Sequence, residues 1–304
     1  MDRANLNLGV VAAALSPDAR QAPRLARQLG FDGLLFDAYS PALSIPDLSQ
    51  SGRREFRHVL SADGRQLVGL RADLGPKGLS PGVDVDRTLS RLEKAMEAAA
   101  GLQAPFLCAD LGALPTPPAE AKPAKKVTQD MAGLILLPTS VEPVPEPAPA
   151  PTTISAADMA LAAQVDAVLI ELGARADRFG VTVAFRSDLA PFAALERAIR
   201  ASGCPWFGID LDPVAILRDE WSADEVFSRL GPLIRHVRAR DATRGAGGRT
   251  SPAVIGQGST NWDELLSNLD GSGYHGWVTI DPMEMPDRVD GARRALTVLR
   301  PTSP

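Results

Sequence analysis

Charged residues close a series of short apolar runs, and their types could move protons or hold anions. Val183-Ala-Phe ends in Arg186, and Gly208-Ile-Asp-Leu ends in Asp212. Ile234-Arg-His-Val-Arg-Ala-Arg-Asp241 carries His236, Arg238 and Arg240, and Trp277-Val-Thr-Ile ends in Asp281. A positioned carboxylate can take a proton from a carbon next to a carbonyl. A guanidinium is always charged and donates through a planar fork, so it can hold a carboxylate or phosphate bidentately or stabilise a developing oxyanion. Asp212, Asp281 and His236 are therefore candidate catalytic groups. Arg186, Arg238, Arg240, Asp210 and Arg71 are candidate substrate-binding groups.

Such residues meet only if the runs are strands whose ends converge. Side chains two apart on a strand share a face. Asp188 then accompanies Arg186, Asp210 accompanies Asp212, and His236 and Arg240 accompany Arg238. Arg71, Asp37 and Asp110 end further runs. Three readings stay open for this interleaving of Asp and Arg. It is a self-satisfied ion-pair network, since buried charges must be paired and such networks need do no chemistry. Or the guanidiniums hold an anionic ligand. Or Asp212 or Asp281 acts as a base.

The positioning elements follow from alternation along the chain. Apolar strand-like runs lie at Leu6–Ala13, Gly33–Asp37, Leu67–Ala72, Phe106–Asp110, Val181–Arg186, Trp206–Asp212, Ile234–Arg240 and Trp277–Asp281. Helical stretches separate them, among them Ser16–Leu29, Asp84–Leu102, Ala156–Phe179, Asn261–Leu269 and Arg288–Leu299. Pro17 suits a first helical turn, and Ser222-Ala-Asp-Glu225 reads as a capping box. Leu161, Val165, Val168 and Leu172 fall on one helical stripe. Eight runs alternating with helices imply parallel strands joined by crossovers. The count and the complete last unit favour a single closed (β/α)₈ barrel over an open doubly wound sheet, and 304 residues suit it.

Residues 113–153 break the pattern, with Pro115, Pro117, Pro118 and the run Val141 to Pro151 rich in Pro and Ala. Proline removes backbone donors and favours extended chain, so this is an insertion after the fourth run and not a domain. It reads as a flexible, tolerated loop, or as a lid or assembly arm that docks its apolar segment Met131–Leu137. The net charge of −5 argues against a nucleic-acid surface. No segment is long and apolar enough for a membrane span, and the N-terminus reads as a first strand and not a signal peptide. A cytoplasmic location is expected. Cys108 and Cys204 match no metal or redox spacing.

Four blocks carry a family resemblance. Ile234–Asp241 resembles a His-Val-His-Ile-Lys-Asp strand. Ile255-Gly-Gln-Gly-Ser-Thr-Asn-Trp262 is similar to a Gly-Glu-Gly loop followed by an aromatic. Leu269–Asp281 resembles the approach Gly-Tyr-Asp-Gly-Trp-Leu-Thr-Ile-Glu, and Leu29-Gly-Phe-Asp-Gly-Leu34 the entry to a second strand. Together they resemble the xylose isomerase-like superfamily, which holds sugar isomerases and epimerases, inositol-derivative dehydratases and apurinic endonucleases. The resemblance implies a TIM barrel, a sugar, sugar-phosphate or polyol substrate, and a divalent metal held by Glu, Asp, His and Glu at the ends of strands five to eight. Carried over singly, those positions are Arg186, Asp212, Arg238 and Asp281. The substrate-contacting His three residues after the Asp is Ala215, and a frequent Glu in the second run is Leu35. Arginine has no lone pair for a metal, so the ligand set is incomplete, with Asp212 and Asp281 left. Arg, Asp, Arg and Asp sum to zero charge without any ion, and the guanidiniums could take the cation's place. An endonuclease needs several His ligands, and the chain has three His.

Weaker candidates are His58 on a surface helix, and His275, before the last run and at the wrong end for catalysis. Arg244 and Arg249 flank a glycine-rich loop, Gly245–Arg249, that lacks a phosphate-loop Lys-Ser. Trp206, Trp262 and Trp277 read as packing residues. The sequence thus points to an isomerase- or epimerase-like protein, or to a non-catalytic barrel binding an anionic metabolite or a protein partner. Homo-oligomerisation is left open.

Overall fold

The computed structural model describes residues 6–75, 77–79, 84–114, 155–245 and 249–300. Most of the proline-rich segment, with Met131–Leu137, and the centre of the glycine-rich loop lie outside them. Eight parallel strands close a barrel: β1 (Asn7–Val11), β2 (Gly33–Asp37), β3 (Gln66–Ala72), β4 (Phe106–Ala109), β5 (Thr182–Arg186), β6 (Phe207–Leu211), β7 (Ile234–Ala239) and β10 (Trp277–Ile280). The barrel closes where β1 pairs with β10, Asn7 opposite Trp277 and Val10 opposite Ile280. Two further strands, β8 (Asp241–Arg244) and β9 (Thr250–Ala253), form an antiparallel hairpin at the rim.

Outward-facing residues such as Leu34, Phe36, Leu70, Val183 and Ile209 join the helices in the main core. A separate cluster of Val11, Leu35, Val68, Phe106, Cys108 and Ala184 lines the barrel interior, as expected of a packed barrel and not a pore. Local chemistry sets the helix ends. Ser155 starts α5 (Ala156–Phe179) by accepting from the Asp158 amide, and Gly180 ends it at φ 63°. Ser222 caps α8 (Ala223–Leu230) through the Glu225 amide. Among the described residues, no helix is long and apolar enough to cross a membrane.

Two expected elements differ. The first run stops at Val11, and Ala12–Leu15 forms a short helix, α1. The helix expected over Ser16–Leu29 spans Ala22–Leu29 (α2), with Pro23 in its first turn. Ser16 Oγ accepts from the Asp18 amide at 3.1 Å and Asp18 Oδ1 from the Arg20 amide at 2.9 Å. Those side chains offer the amides a turn in place of a helix. The β8–β9 hairpin was likewise read as plain loop; its strands are four residues each and buried only at Asp241 and Ala242, without an apolar alternation to mark them.

Asp241 fixes the loop beyond that hairpin. Its Oδ1 accepts from the amides of Ala242 and Thr260, and its Oδ2 from the amides of Gly256 and Gly258 and the Trp262 indole. Gly258 is required because a Cβ there would stand 2.1 Å from Asp241 Oδ1. The Asp241, Gly-Gln-Gly and Trp262 motifs are therefore one unit: a buried carboxylate satisfied by five donors. Asp241→Asn sets an NH₂ group against at least two of them whichever way it turns. It should lower stability by about 3 kcal/mol, read as an earlier chemical-denaturation midpoint; an unchanged midpoint would refute the clamp.

Candidate functional site

The C-terminal ends of the strands bring the predicted residues together in two layers. A step of two along a strand moves from one layer to the next. Thus Cys108 leads to Asp110, Asp210 to Asp212, His236 to Arg238 and then Arg240, and Thr279 to Asp281.

In the deeper layer, His236 has no exposed surface. Its Nδ1 is 2.7 Å from Asp210 Oδ1, its Nε2 is 2.7 Å from Thr279 Oγ1, and the Cys108 sulfur lies 3.8 Å from Nδ1. The Phe106 ring packs against the imidazole, 4.6 Å between centroids. Burial alone would raise the Asp210 carboxyl, but His236 and then Arg238 and Arg186 hold it below the usual range. Burial, followed by Asp210, pushes the Cys108 thiol well up. Cys108, Asp210 and His236 have one donor atom each within 4.8 Å of the others, yet both imidazole nitrogens are engaged.

The upper layer is a connected array of ion pairs. Arg238, 1% exposed, is its centre: Nη2 lies 2.8 Å from Asp188 and 2.9 Å from Asp212, and Nη1 lies 3.7 Å from Asp281. Burial would lower this guanidinium, but Asp212, Asp188 and Asp281 more than reverse that and stabilise its charge. Arg240 is 2.9 Å from Asp212 and 3.1 Å from Glu284. Arg71 bridges Asp37 at 2.7 Å and Asp281 at 3.2 Å. Arg186 reaches Asp110 at 3.2 Å and Asp188 at 2.8 Å. Asp212 Oδ1 also caps α7 (Pro213–Asp219) through the Val214 amide, and Ser187 Oγ donates to the Asp210 carbonyl and accepts from the Asp212 amide.

All eight candidates thus lie in one region: Arg71, Arg186, Asp212, Arg238, Arg240 and Asp281 in the upper layer, Asp210 and His236 beneath. Sequence reasoning missed Glu284, which sits in a loop after β10 with no periodicity to mark it. It also missed Thr279 and Cys108, although the two-residue step from Asp281 and Asp110 points to both. His58 and His275 lie outside this region, His58 on α3 (Gln50–Ala62) and His275 before β10. Arg244 pairs with Glu220 at the rim. Trp206 and Trp262 donate to Asp177 and Asp241.

The barrel that carries this site belongs to a known class. The family model described as xylose isomerase-like TIM barrel matches residues 23–302. The chain belongs to that family. It is similar in structure to D-psicose 3-epimerase from Clostridium cellulolyticum H10, solved with D-tagatose: TM-score 0.69, 16% identity, covering 97% of this chain and 98% of that one. It is also similar to 3-keto-D-glucoside 4-epimerase from E. coli, with TM-score 0.67, 17% identity and 98% and 100% coverage. A probable 3-DHS dehydratase from Bacillus anthracis gives TM-score 0.70, 12% identity and 98% and 100% coverage. A search of the curated proteins finds no match to the sequence.

Asp110 stands apart electrostatically. Burial pushes its carboxyl up, Arg186 pulls it down, and Asp188 and Asp73 push it up again, leaving it at about 6 against an ordinary 3.8. A carboxyl raised in the folded state favours folding when protonated, and that advantage is lost as pH rises from about 4 through about 6. Asp110→Asn removes the titration. Relative to the natural chain, the variant should gain on the order of 2 kcal/mol between about pH 4 and pH 7. Denaturation midpoints at the two pH values check this, and a pH-independent difference would show that Asp110 ionises normally.

Proposed function

We propose that the chain is a sugar or polyol isomerase- or epimerase-like protein in which the Arg238 guanidinium stands where its family places a divalent ion. The observation that carries this is the enclosure of Arg238 by Asp188, Asp212 and Asp281 at 2.8, 2.9 and 3.7 Å. The residues present do not fit the metal. Two of the four implied ligand positions, Arg186 and Arg238, have no lone pair to give. Asp212 and Asp281, the other two, direct carboxylate oxygens at guanidinium nitrogens.

The chemistry such a site supports is proton transfer next to a carbonyl. A carboxylate removes the proton, and fixed guanidiniums stabilise the enediolate oxygens as charge develops. Asp281 is the better base of the two candidates. It is 8% exposed where Asp212 is fully buried. Asp212 Oδ2 is held at 2.9 Å by both Arg238 and Arg240 while Oδ1 caps a helix, so it serves as an anchor; Asp281 is held more loosely, Oδ2 at 3.2 Å from Arg71 and 3.7 Å from Arg238 and Oδ1 accepting from the Met283 amide at 3.2 Å. His236, saturated in the layer below, orients Asp210 and does not touch substrate. The anionic ligand suggested by the arginines alone is disfavoured, because every one of these guanidiniums already faces a carboxylate.

Two experiments test the reading. Unphosphorylated ketoses such as D-tagatose and D-fructose, incubated with the protein in D₂O, should lose the proton signal of the carbon next to the carbonyl. This exchange should survive EDTA and fall by about 100-fold or more in Asp281→Asn; exchange abolished by EDTA and restored by Mn²⁺ would overturn it. Separately, Mn²⁺ or Co²⁺ should leave the melting temperature of the natural chain unchanged. It should raise that of the double variant Arg186→Glu, Arg238→His, which rebuilds the family's donor types. A metal-dependent rise in the natural chain would count against the guanidinium substitution.

A further inference from the structure

The upper layer carries more negative than positive charge. Four guanidiniums, Arg71, Arg186, Arg238 and Arg240, face six carboxylates, Asp37, Asp110, Asp188, Asp212, Asp281 and Glu284. The surplus of two is unevenly spread. Asp188, Asp212 and Asp281 each engage two arginines, whereas among the described residues the ion pairs of Asp110 run to Arg186 alone, which Asp188 shares. Asp188 Oδ1 is buried without a hydrogen bond, and so is Asp110 Oδ1, although it lies 3.2 Å from Arg186 Nη1 as an ion pair; Asp110 is 1% exposed. In the same connected array, the Nε atoms of Arg186, Arg238 and Arg240 are buried donors without an acceptor.

A complementary ligand must donate to two carboxylate oxygens and bring positive charge to them. It must also offer oxygens to three guanidinium N–H groups. An ammonium meets the first need with three donors and a full charge. Hydroxyls meet the second. A phosphate or carboxylate could meet the second but would enlarge the surplus. Resting on the reading that the mouth holds a sugar-like molecule, we infer that its ligand is a polyhydroxylated amine, an amino sugar or amino polyol, with the ammonium against Asp110 and Asp188 and hydroxyls on the guanidinium Nε atoms.

The position of Asp110 gives this a pH signature. A proton on Asp110 competes with the ammonium, and the charged groups facing it are Arg186, Asp188 and Asp73, with the Leu74 amide donating to it. Amine affinity should rise as pH climbs through about 6.

A matched six-carbon series tests the inference: 1-amino-1-deoxy-D-glucitol, D-glucitol and D-gluconate, titrated calorimetrically into the full chain. The amine stays protonated over the range used. It should bind about tenfold or more tightly than D-glucitol, D-gluconate should bind more weakly than either, and amine affinity should rise about tenfold between about pH 5 and pH 7.5. Asp110→Asn should shrink the amine preference to about threefold or less and flatten its pH dependence. In aspartate carboxyl ¹³C spectra of the natural chain, the amine should lower the Asp110 titration midpoint. D-glucitol or D-gluconate binding as tightly as the amine sinks the inference while leaving the sugar-site reading standing. So does an Asp110→Asn variant that keeps the full amine preference. If none of the three binds, the inference falls; the reading beneath it is judged by hydrogen exchange, which does not depend on an amine.

Discussion

The burial of Arg238 is the constraint on which the mouth of this barrel depends. Removing a guanidinium from water costs several kcal/mol, and one unpaired at that depth would not be retained. Three carboxylates from different parts of the rim repay that cost: Asp188 after β5, Asp212 after β6 and Asp281 after β10. Each attraction is worth about 4 kcal/mol at an effective dielectric of 20. The carboxylates have the converse need. Asp212 has no exposed surface and would be stranded without Arg238 and Arg240. Four segments of the barrel rim are thereby tied through one planar group.

The deeper layer makes that arrangement rigid. His236 is pinned at both nitrogens by Asp210 and Thr279, two residues below Arg238 on the same strand. The backbone of β7 therefore cannot rotate or slip without breaking the imidazole's bonds as well as the guanidinium's. Ser187 adds a cross-strand tie between β5 and β6 through the Asp210 carbonyl and the Asp212 amide. A site whose charged groups are held this way is preorganised, and fixed dipoles and charges stabilise a developing oxyanion without reorganising first.

Much of this was legible in the sequence because two simple periodicities govern it. The eight apolar runs map onto the eight barrel strands, and the period of two correctly placed Asp188 with Arg186 and Arg240 with Arg238. What escaped was set by contacts that no period records. The turn at Ser16–Gln21 depends on side-chain oxygens competing for amides. The β8–β9 hairpin is joined by the Gly245 amide donating to the Arg249 carbonyl and is anchored by the Asp241 clamp, not by an apolar face. Glu284 enters the array from a loop, where position follows the chain's path and not a repeat. The zero sum over Arg186, Asp212, Arg238 and Asp281 covers four positions only; Arg71 and Arg240 add two guanidiniums to the array, and Asp37, Asp110, Asp188 and Glu284 add four carboxylates.

On the proposed reading, a guanidinium in place of an ion would change what the mouth can do, and the direction follows from charge and shape. A divalent cation concentrates two charges at a point and draws oxygens to it from any direction. A guanidinium spreads one charge over a plane and offers donors along fixed lines. The first polarises a carbonyl strongly and tolerates varied geometry; the second polarises weakly and demands alignment. A mouth built on Arg238 therefore has to obtain from orientation what it lacks in field strength. The neighbouring arginines are placed to supply it: Arg71 and Arg240 flank Arg238 through shared carboxylates, Asp281 and Asp212. Any reacting oxygen that approached one of those carboxylates would meet two guanidiniums at once. The carboxylates are thus more than counter-ions, since they hold the guanidinium donors in register.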